Sequence, residues 1–240
     1  MMEMEEDNIL EINDLSVYYG GLRVVHNVSF NVRKGEVFAL IGSNGAGKSS
    51  ILSAIMGLSS YIGTIKFLGK KIDNLKTYQR IALGLTLAPE SSAAIFSRFT
   101  VLENLLIGSY LNRAEREKML ERVFKLFPIL KERMNQPADK LSGGERKMLL
   151  IGRALMSNPK LLLLDEVSLG LSPLITDKIY EACKEINSQG VTILLVEQNV
   201  WKALEFANRA CVIEAGKITR VGKADELLDE ESIRRAYLGL

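Results

Sequence analysis

The sequence predicts an α/β fold, and three observations support this prediction. Short apolar runs alternate with segments of helical periodicity, as expected for strands and helices that follow one another along the chain. A glycine-rich loop at residues 42–47 lies between an apolar run and a helical segment. A second apolar run, residues 161–164, ends in the carboxylates Asp165 and Glu166. Because ligands of open α/β sheets gather at the carboxyl ends of strands, we expect both features to serve one site.

Composition narrows the class of protein. With 240 residues, 47% of them apolar, the chain is long enough to bury a sizeable core and is expected to form one domain. The formal net charge of +2 does not favour nucleic acid as a partner. Cys183 and Cys211 lie in apolar periodic segments and are expected to be buried, reduced thiols in the cytoplasm.

Neither a leader nor a membrane span is expected from the sequence. Residues 1–7 are acidic and lack the basic-then-apolar layout of a signal peptide. No apolar run approaches the roughly 18 residues needed to cross a bilayer. If the protein works at a membrane, we expect a partner to provide the span.

The N-terminal part of the chain predicts a sheet that precedes the glycine-rich loop. Residues 9–19 alternate between apolar and polar, and with Gly20-Gly21, residues 28–32 and the turn at Lys34-Gly35 they predict an antiparallel sheet. The only histidine, His26, is expected to be a surface or turn residue of this sheet. The other elements predicted here are strands at 37–41, 61–68 and 85–88, and helices at 48–56, ending at Gly57, and at 76–83.

From residue 91 to 157 the strand signal almost disappears, which predicts a helical subdomain inserted into the α/β core. We place the core at about residues 8–89 and 156–240, and the helical subdomain at about 90–155. Its predicted helices are 100–108, a charge-rich amphipathic helix at 113–133, and 142–157. The core then resumes with strands at 161–165 and 191–196, a helix from the N-cap Ser172 and first-turn Pro173 to about residue 188, and a hairpin of 210–214 and 217–221 around Ala215-Gly216.

The glycine-rich loop matches the pattern G-x-x-x-x-G-K-[ST] in full. Glycines let backbone amides curl around phosphate oxygens, and the start of the following helix adds positive potential. Lys48 is expected to reach the β- and γ-phosphates, Ser49 to ligate Mg²⁺, and Ser50 to donate to the α-phosphate. The alternative, a glycine-rich turn without a ligand, is disfavoured by the strand and helix on either side. The predicted phosphate-binding residues are Gly42, Ser43, Asn44, Gly45, Ala46, Gly47, Lys48, Ser49 and Ser50.

The acidic strand end predicts the second half of this chemistry. Asp165 suits the Mg²⁺ shell, and Glu166 is placed to polarise the water that attacks the γ-phosphate. Taken alone, Asp-Glu at a strand end is more often a structural cap. Its combination with an intact phosphate loop favours catalysis.

Leu141-Ser142-Gly143-Gly144-Glu145 is the third motif, and it opens the helix predicted at 142–157. A helix N-terminus with a serine and two glycines binds anions well, so Ser142, Gly143 and Gly144 are candidate phosphate ligands. In isolation, simple capping of the helix is the favoured interpretation. The presence of the other two motifs favours the phosphate-binding one.

Together these motifs resemble the nucleotide-binding subunit of an ATP-binding-cassette (ABC) transporter, and the resemblance covers essentially the whole chain. It implies a P-loop NTPase ABC cassette with a RecA-like core, an N-terminal antiparallel β subdomain and an inserted α-helical subdomain. It implies ATP and Mg²⁺ as ligands, and a site shared by two cassettes, since the family's signature residues contact the γ-phosphate held by the other subunit. Tyr19 matches the family's adenine platform, with Val24 beside the same ring; the residues alone leave Tyr19 equally open as a strand aromatic.

Three positions depart from the commonest ABC pattern. Glu90 replaces the glutamine that usually begins the loop to the helical subdomain, Gln198 replaces the switch histidine, and 167–171 reads Val-Ser-Leu-Gly-Leu rather than Pro-Ser-Ala-Leu-Asp. Gln198 can hydrogen-bond to a phosphate oxygen or to water but has no titratable proton, which leaves Glu166 as the expected base. Glu90 can coordinate Mg²⁺ or water. We predict an active, Mg²⁺-dependent ATPase rather than an ATP-binding sensor or scaffold without turnover.

A set of short segments resembles the ATPase subunits of branched-chain amino-acid importers. The resemblance implies integral-membrane permease subunits as partners, a second cassette that is identical or homologous, an indirect link to a solute-binding protein, and a location on the cytoplasmic face of the cell membrane. An amide or urea importer, a lipid exporter and a non-transport ATPase of iron–sulfur assembly stay open as alternatives. The segments are 88–90, 95–97, 100–105, 168–173, 196–199 and 236–239.

The segment 90–100 is expected to carry movement to the permease. Phe96 and Phe99 are candidates to line that contact, and at least one of them is expected to pack in the core instead. Ser91-Ser92-Ala93-Ala94 replaces the Gly-Arg-Arg-type run of the resembled subtype.

Overall fold

The computed structural model describes residues 8–229 and Ile233. The chain forms two compact units: unit 1 comprises the residues up to Arg80 and from Thr192 onward, and unit 2 comprises Ile81–Val191. The acidic segment 1–7 and the stretch 236–239, on which two of the expectations above depend, lie outside the described residues.

The secondary structure alternates as the sequence predicts. The strands are β1 (Asn8–Tyr19), β2 (Leu22–Arg33), β3 (Val37–Ile41), β4 (Ser60–Phe67), β5 (Lys70–Lys71), β6 (Leu85–Ala88), β7 (Leu161–Asp165), β8 (Thr192–Glu197), β9 (Arg209–Glu214) and β10 (Lys217–Lys223). The α-helices are α1 (Lys48–Met56), α2 (Thr77–Leu83), α3 (Val101–Gly108), α4 (Arg116–Leu126), α5 (Pro128–Glu132), α6 (Gly143–Leu155), α7 (Pro173–Ser188), α8 (Val200–Phe206) and α9 (Ala224–Asp229). Short 3₁₀ turns cover Ser92–Ala94, Arg113–Glu115 and Ala138–Lys140.

Unit 1 contains two kinds of sheet. One is antiparallel, with the order β2-β1-β4-β5, which confirms the sheet predicted at the start of the chain. In the other, β3 lies between β8 and β9 and runs parallel to both, while β10 pairs with β9 as the predicted hairpin. All five residues of β3 are buried. This agrees with their continuous apolar sequence, which is typical of a strand covered on both faces. Phe30 of β2 stacks on Phe38 of β3 at 5.5 Å.

Helix α1 ends where the sequence predicts, at Gly57, which has a φ of 72°. The last carbonyl groups of α1 accept hydrogen bonds from a side chain that the sequence does not identify. Arg80 is only 1% exposed and donates to the carbonyl oxygens of Ala54 at 2.9 Å and Ile55 at 2.7 Å. The final carbonyls of a helix lack intrahelical partners, and a buried guanidinium supplies them with charge-assisted hydrogen bonds. Arg80 therefore anchors the C-terminal end of the helix that follows the glycine-rich loop.

Unit 2 is built from two parallel strands and most of the helices. Strands β6 and β7 pair in register from Leu85 with Leu161 to Ala88 with Leu164. Helix α6 packs against α3, α5 and β6. Between β6 and α6 the described chain is helical or irregular, in agreement with the helical character predicted for 91–157.

Most predicted elements are found within two residues of their expected bounds, and two are not. The helix predicted at 113–133 is wrong: the segment splits into a 3₁₀ turn, α4 and α5. The break falls at Phe127, the residue before Pro128, whose φ of −131° and ψ of 75° are not helical. Proline lacks an N–H and disfavours helical backbone in the preceding residue, so α4 ends there. Strand β2 begins earlier than expected because Leu22 already pairs with Tyr19 across the hairpin.

Three single-residue expectations have separate outcomes. Ser172 does occupy the N-cap position of α7, but its side chain makes no capping hydrogen bond. His26 is not in a turn: it lies within β2, half-buried, and its backbone N–H donates to the Gly216 carbonyl at 2.7 Å. Cys183 and Cys211 are both buried, as expected, and burial raises the pKa of the Cys211 thiol well above its usual range.

Candidate functional site

The glycine-rich loop of unit 1 follows β3 and leads into α1, as the motif requires. Lys48 is 4% exposed, and its ammonium group donates to the carbonyl oxygens of Gly42 at 2.9 Å and Ser43 at 3.1 Å. The ammonium therefore lies against the start of its own loop. In contrast, Asn44 and Ser49 are exposed, so that part of the loop faces solvent and is accessible to a ligand.

Two glycines of this loop are required by packing within unit 1. A Cβ atom at Gly42 would lie 2.2 Å from the Ile213 carbonyl oxygen. Gly47 has a φ of 104°, and a Cβ atom there would lie 3.0 Å from Val25 Cγ2 and 3.2 Å from the Val24 carbonyl oxygen. Gly47 stands at the N-cap of α1 and so provides no side-chain cap for the first helical N–H groups. A helix start of this kind is a ready anion-binding site.

Other residues of unit 1 that were predicted for the site lie at strand ends. Tyr19 is the last residue of β1 and is 46% exposed, so its ring is not used in the core. Val24 is half-buried in β2, and its backbone approaches Gly47 as described above. Gln198 directly follows β8 and is exposed. The Tyr19 ring is therefore accessible from solvent.

In unit 2 the acidic strand end has a constrained backbone. Asp165 ends β7 and is 7% exposed; Glu166 follows it and is 5% exposed. Glu166 has a φ of 43°, in the left-handed region that non-glycine residues rarely adopt. Glu90, two residues beyond the end of β6, has an exposed side chain.

A residue that the sequence analysis did not single out joins these two strand ends. Lys147 of α6 is 8% exposed, and its ammonium group donates to the carbonyl oxygens of Glu90 at 2.6 Å and Glu166 at 2.9 Å. The signal in the sequence is a lysine beside the apolar stripe of the helix predicted at 142–157. Such a lysine is usually solvated, and only the fold shows that it is buried.

The LSGGE motif forms a closed helix cap. The Glu145 N–H donates to Ser142 Oγ at 3.3 Å, and the Ser142 N–H donates to Glu145 Oε2 at 2.8 Å. Arg133 also pairs with Glu145, at 3.1 Å. The local capping interpretation is thus confirmed as structure. Ser142 and Gly143 are nevertheless exposed, whereas Gly144 is buried and a Cβ atom there would lie 2.5 Å from Ile175 Cγ2.

The aromatic residues of the segment 90–100 are placed differently from what was expected. The rings of Phe96 and Phe99 stack at 5.6 Å, and the two residues are 48% and 46% exposed. The expectation that at least one packs in the core is therefore wrong. Asn104 holds this segment from α3, because its side chain accepts from the Phe96 N–H at 3.0 Å and donates to the Phe96 carbonyl at 3.0 Å. The Arg153 guanidinium lies over the Phe96 ring at 5.7 Å, so the solvent-exposed part of the pair is not the whole of its surface.

The donor atoms predicted for Mg²⁺ suit that ion chemically. They are the Ser49 hydroxyl in unit 1 and the carboxylates of Asp165 and Glu90 in unit 2, all hard oxygen ligands. Over residues 8–229, no group of three or more His, Cys, Asp or Glu side chains is placed to hold a metal ion. Among the helices described, none has the length and apolar character to cross a membrane.

Known proteins similar to this chain identify its family. The family model for the ABC transporter matches residues 25–168. The high-affinity branched-chain amino acid transport ATP-binding protein BraG of Pseudomonas aeruginosa is 43% identical over 96% of this chain and 100% of its own length. The lipopolysaccharide export system ATP-binding protein LptB of Haemophilus influenzae is 34% identical over 97% of this chain and 98% of its own.

Among solved structures, the ADP conformation of an ATP-binding cassette of an ABC transporter matches with a TM-score of 0.82 and 30% identity. It covers 97% of this chain, and this chain covers 99% of it. The chain therefore belongs to the ABC transporter family and is one of its ATP-binding, ATP-hydrolysing subunits.

Proposed function

We propose that this chain powers an importer that takes up branched-chain amino acids through a membrane permease. The observation that carries the substrate class is the 43% identity with BraG over the whole of that protein's length. The chain would lie on the cytoplasmic face of the membrane, attached to the permease, and act with a second cassette that is identical or homologous. A solute-binding protein would deliver the substrate on the other side.

The proposed roles in unit 1 concern nucleotide binding. Tyr19 stacks on adenine with Val24 beside it, and the loop amides from Gly42 to Ser50 hold the phosphates. Lys48 exchanges its carbonyl partners for β- and γ-phosphate oxygens, which bear more charge and form stronger hydrogen bonds with an ammonium. The exposed rim of the loop supports this proposal, because ATP can enter without unfolding the strand or the helix.

The proposed roles in unit 2 concern hydrolysis. Glu166 accepts a proton from the attacking water, while Glu90 and, from unit 1, Gln198 orient groups around the γ-phosphate. Bound Mg²⁺, held by Ser49, Asp165 and Glu90, would neutralise charge on the phosphate oxygens. Glu166 is only 5% exposed, which supports its role as the base, since catalytic carboxylates are commonly shielded from bulk solvent.

Ser142, Gly143 and Gly144 are proposed to act on the ATP of the second cassette. The exposed positions of Ser142 and Gly143 support this, because their hydroxyl and amide groups are accessible from outside the chain. The Ser142 hydroxyl oxygen accepts from Glu145, which leaves its hydrogen able to donate to a phosphate oxygen.

The transport assignment is tested by purifying the chain from its native membranes and identifying what co-purifies. We expect integral-membrane permease subunits, and uptake of radiolabelled leucine, isoleucine and valine that disappears when the chain is deleted. The likeness to LptB makes lipopolysaccharide export the second candidate; its partner would be an export permease, and uptake would be unchanged. Recovery of a soluble assembly factor without any membrane protein would overturn both.

The assignment of the base is tested by Glu166→Gln. We expect ATP turnover to fall by about 10²- to 10⁴-fold, the usual contribution of a general base, while ATP binding is retained. The control is Glu117→Gln, the same change at an exposed position of α4, which should leave turnover unaltered. Near-normal turnover of the Glu166 variant in steady-state assays would exclude it as the base.

A further inference from the structure

Lys147 occupies an unusual position for a lysine. It lies in the first half of α6, almost completely buried, and its ammonium group bonds to two main-chain carbonyl oxygens that are 57 and 19 residues away in sequence. Burying an ammonium group is unfavourable unless hydrogen bonds replace its hydration. An apolar side chain of the same length would fill the same space. The presence of a lysine here therefore needs a reason beyond packing.

The two carbonyl groups that Lys147 contacts belong to equivalent positions of neighbouring strands. The last register pair of β6 and β7 is Ala88 with Leu164. Glu90 and Glu166 each lie two residues beyond this pair, where the ladder no longer holds the chain. Beyond the last hydrogen bonds between β6 and β7, the ammonium group of Lys147 thus connects the chain that follows each strand.

The bond to Glu166 falls on a residue whose backbone needs support. A non-glycine residue at a φ of 43° is in a sparsely populated conformation, which persists only where its surroundings determine it strongly. The direction of the Glu166 side chain follows from this backbone conformation. A charge-assisted hydrogen bond to its carbonyl oxygen is one of the stronger constraints available.

We propose that Lys147 is a positioning residue for ATP hydrolysis, which holds the backbone of Glu166 and Glu90 so that their carboxylates keep a productive orientation. The inference rests on the function proposed above. Lys147 does not touch nucleotide in this proposal; it acts through the two carbonyl groups. Since α6 begins directly after Ser142, the same lysine also ties the helix of the LSGGE motif to the strand ends.

The test compares Lys147→Met, which keeps the length but removes every donor, with Lys147→Gln, which keeps an N–H₂ donor. We expect the methionine variant to lower kcat by about 10- to 100-fold, as misplacement of a reacting group does, with KM for ATP within about threefold of wild type. The glutamine variant should recover part of the loss. Lys184→Met, at an exposed position of α7, is the matched control and should behave as wild type.

All variants are measured as the full chain, by steady-state hydrolysis for kcat and KM, and by single-turnover hydrolysis of bound ATP so that a slow cassette still gives a rate. Unfolding midpoints and ATP affinity are measured alongside. A methionine variant that hydrolyses ATP at the wild-type rate overturns the proposal. So does one whose loss of rate is matched by equal losses of ATP affinity and stability, because that pattern denotes a purely structural lysine.

If the methionine variant does not fold, the glutamine variant decides: a lower kcat with unchanged KM supports the proposal, and a loss of kcat matched by equal losses of ATP affinity and stability overturns it. Glu166→Gln, measured in parallel, separates this inference from the proposed function. If that variant still hydrolyses ATP, the assignment of the base fails whatever Lys147 does. If it is inactive while Lys147→Met is fully active, only the positioning role fails.

Discussion

Two glycine-containing helix starts in this chain look alike in sequence and differ in structure. Helix α1 follows Gly47, which has no side chain and so leaves the N-terminus without a side-chain cap. Helix α6 follows Ser142, which forms a reciprocal capping box with Glu145. Because the first N–H groups of a helix need acceptors, the start of α1 has N–H groups open to a ligand or water, whereas the start of α6 is partly satisfied by its own side chains.

The difference explains why the two motifs have different partners in the proposed function. An uncapped start can bind the phosphates of ATP within its own chain. A capped start keeps its shape without a ligand and presents an exposed hydroxyl and amide, at Ser142 and Gly143, to a phosphate brought by another chain. The two glycines after Ser142 are also unequal: space for a Cβ atom exists at Gly143 but not at Gly144.

The largest expected effect is that of Gly47→Ala on ATP binding by the isolated chain. Alanine at a φ of 104°, with Val25 Cγ2 at 3.0 Å from its Cβ atom, must distort the loop. We expect the affinity for ATP to fall by more than about 100-fold, equivalent to about 3 kcal/mol. Isothermal titration with a non-hydrolysable ATP analogue measures it, and circular dichroism checks the fold.

The matched control is Gly143→Ala, the same change at the other helix start. Its Cβ atom would meet only Leu171 Cδ2, at 3.9 Å, so the single chain should bind ATP as wild type does. Turnover by paired cassettes should still fall, because the added methyl group hinders the approach of a phosphate. Equal losses of ATP affinity in the two variants would contradict the division of roles.

The next effect in size concerns stability. Gly144→Ala places a methyl group 2.5 Å from Ile175 Cγ2, and we expect it to lower the free energy of unfolding by about 1–2 kcal/mol. This is less than overpacking alone would cost, since alanine favours the helix. Denaturant unfolding measures the change. In a double-mutant cycle, Ile175→Ala should reduce the cost of the alanine at 144 by opening the space it needs; additive losses would show that the clash is absent.

The comparison also shows what sequence can and cannot predict. The phosphate loop, the strand ending at Asp165 and the start of α6 were all predicted, because their signals are local in the chain. The packing of Gly144 on Ile175 was not, and neither were the buried positions of Arg80 and Lys147. Each of these depends on atoms contributed by residues far away in sequence, and a charged residue in a helix is normally expected at the surface.

The prediction of a helix at 113–133 was wrong for a different reason. Its periodicity was real, but Pro128 interrupts the backbone that the periodicity assumes. The expectation that at least one of Phe96 and Phe99 packs in the core was wrong because an aromatic residue is assigned to the core by default. Only the fold shows that both rings are exposed and that Asn104 bonds to the backbone of Phe96.

A smaller effect is expected from Ser142→Ala, which removes the side-chain cap of α6. Loss of a serine cap lowers the free energy of unfolding by about 1 kcal/mol. Turnover should fall as well, since the variant also loses the hydroxyl proposed to reach a phosphate on the second cassette. The control is Thr100→Ala, because Thr100 and Glu103 form the same type of capping box at the start of α3. If both variants reduce turnover of the purified cassette equally, the loss reflects capping alone and Ser142 has no role toward phosphate.

The smallest effect is on the titration of Glu103. Hydrogen bonds from the Thr100 N–H, and then from its hydroxyl, hold the pKa of the Glu103 carboxyl below its ordinary value of 4.5. A pKa lowered by folding contributes stability that is present above the unfolded pKa and is lost as the pH falls through the folded one. Thr100→Ala removes the hydroxyl and keeps the N–H, so the pKa of Glu103 should rise only part of the way to 4.5. NMR measures the pKa of Glu103 from its carboxyl carbon shifts as the pH is lowered from 6. A full return of this pKa to 4.5 would mean that the capping box opens without the hydroxyl. The hydroxyl, and not the backbone N–H, would then maintain such a box in this fold.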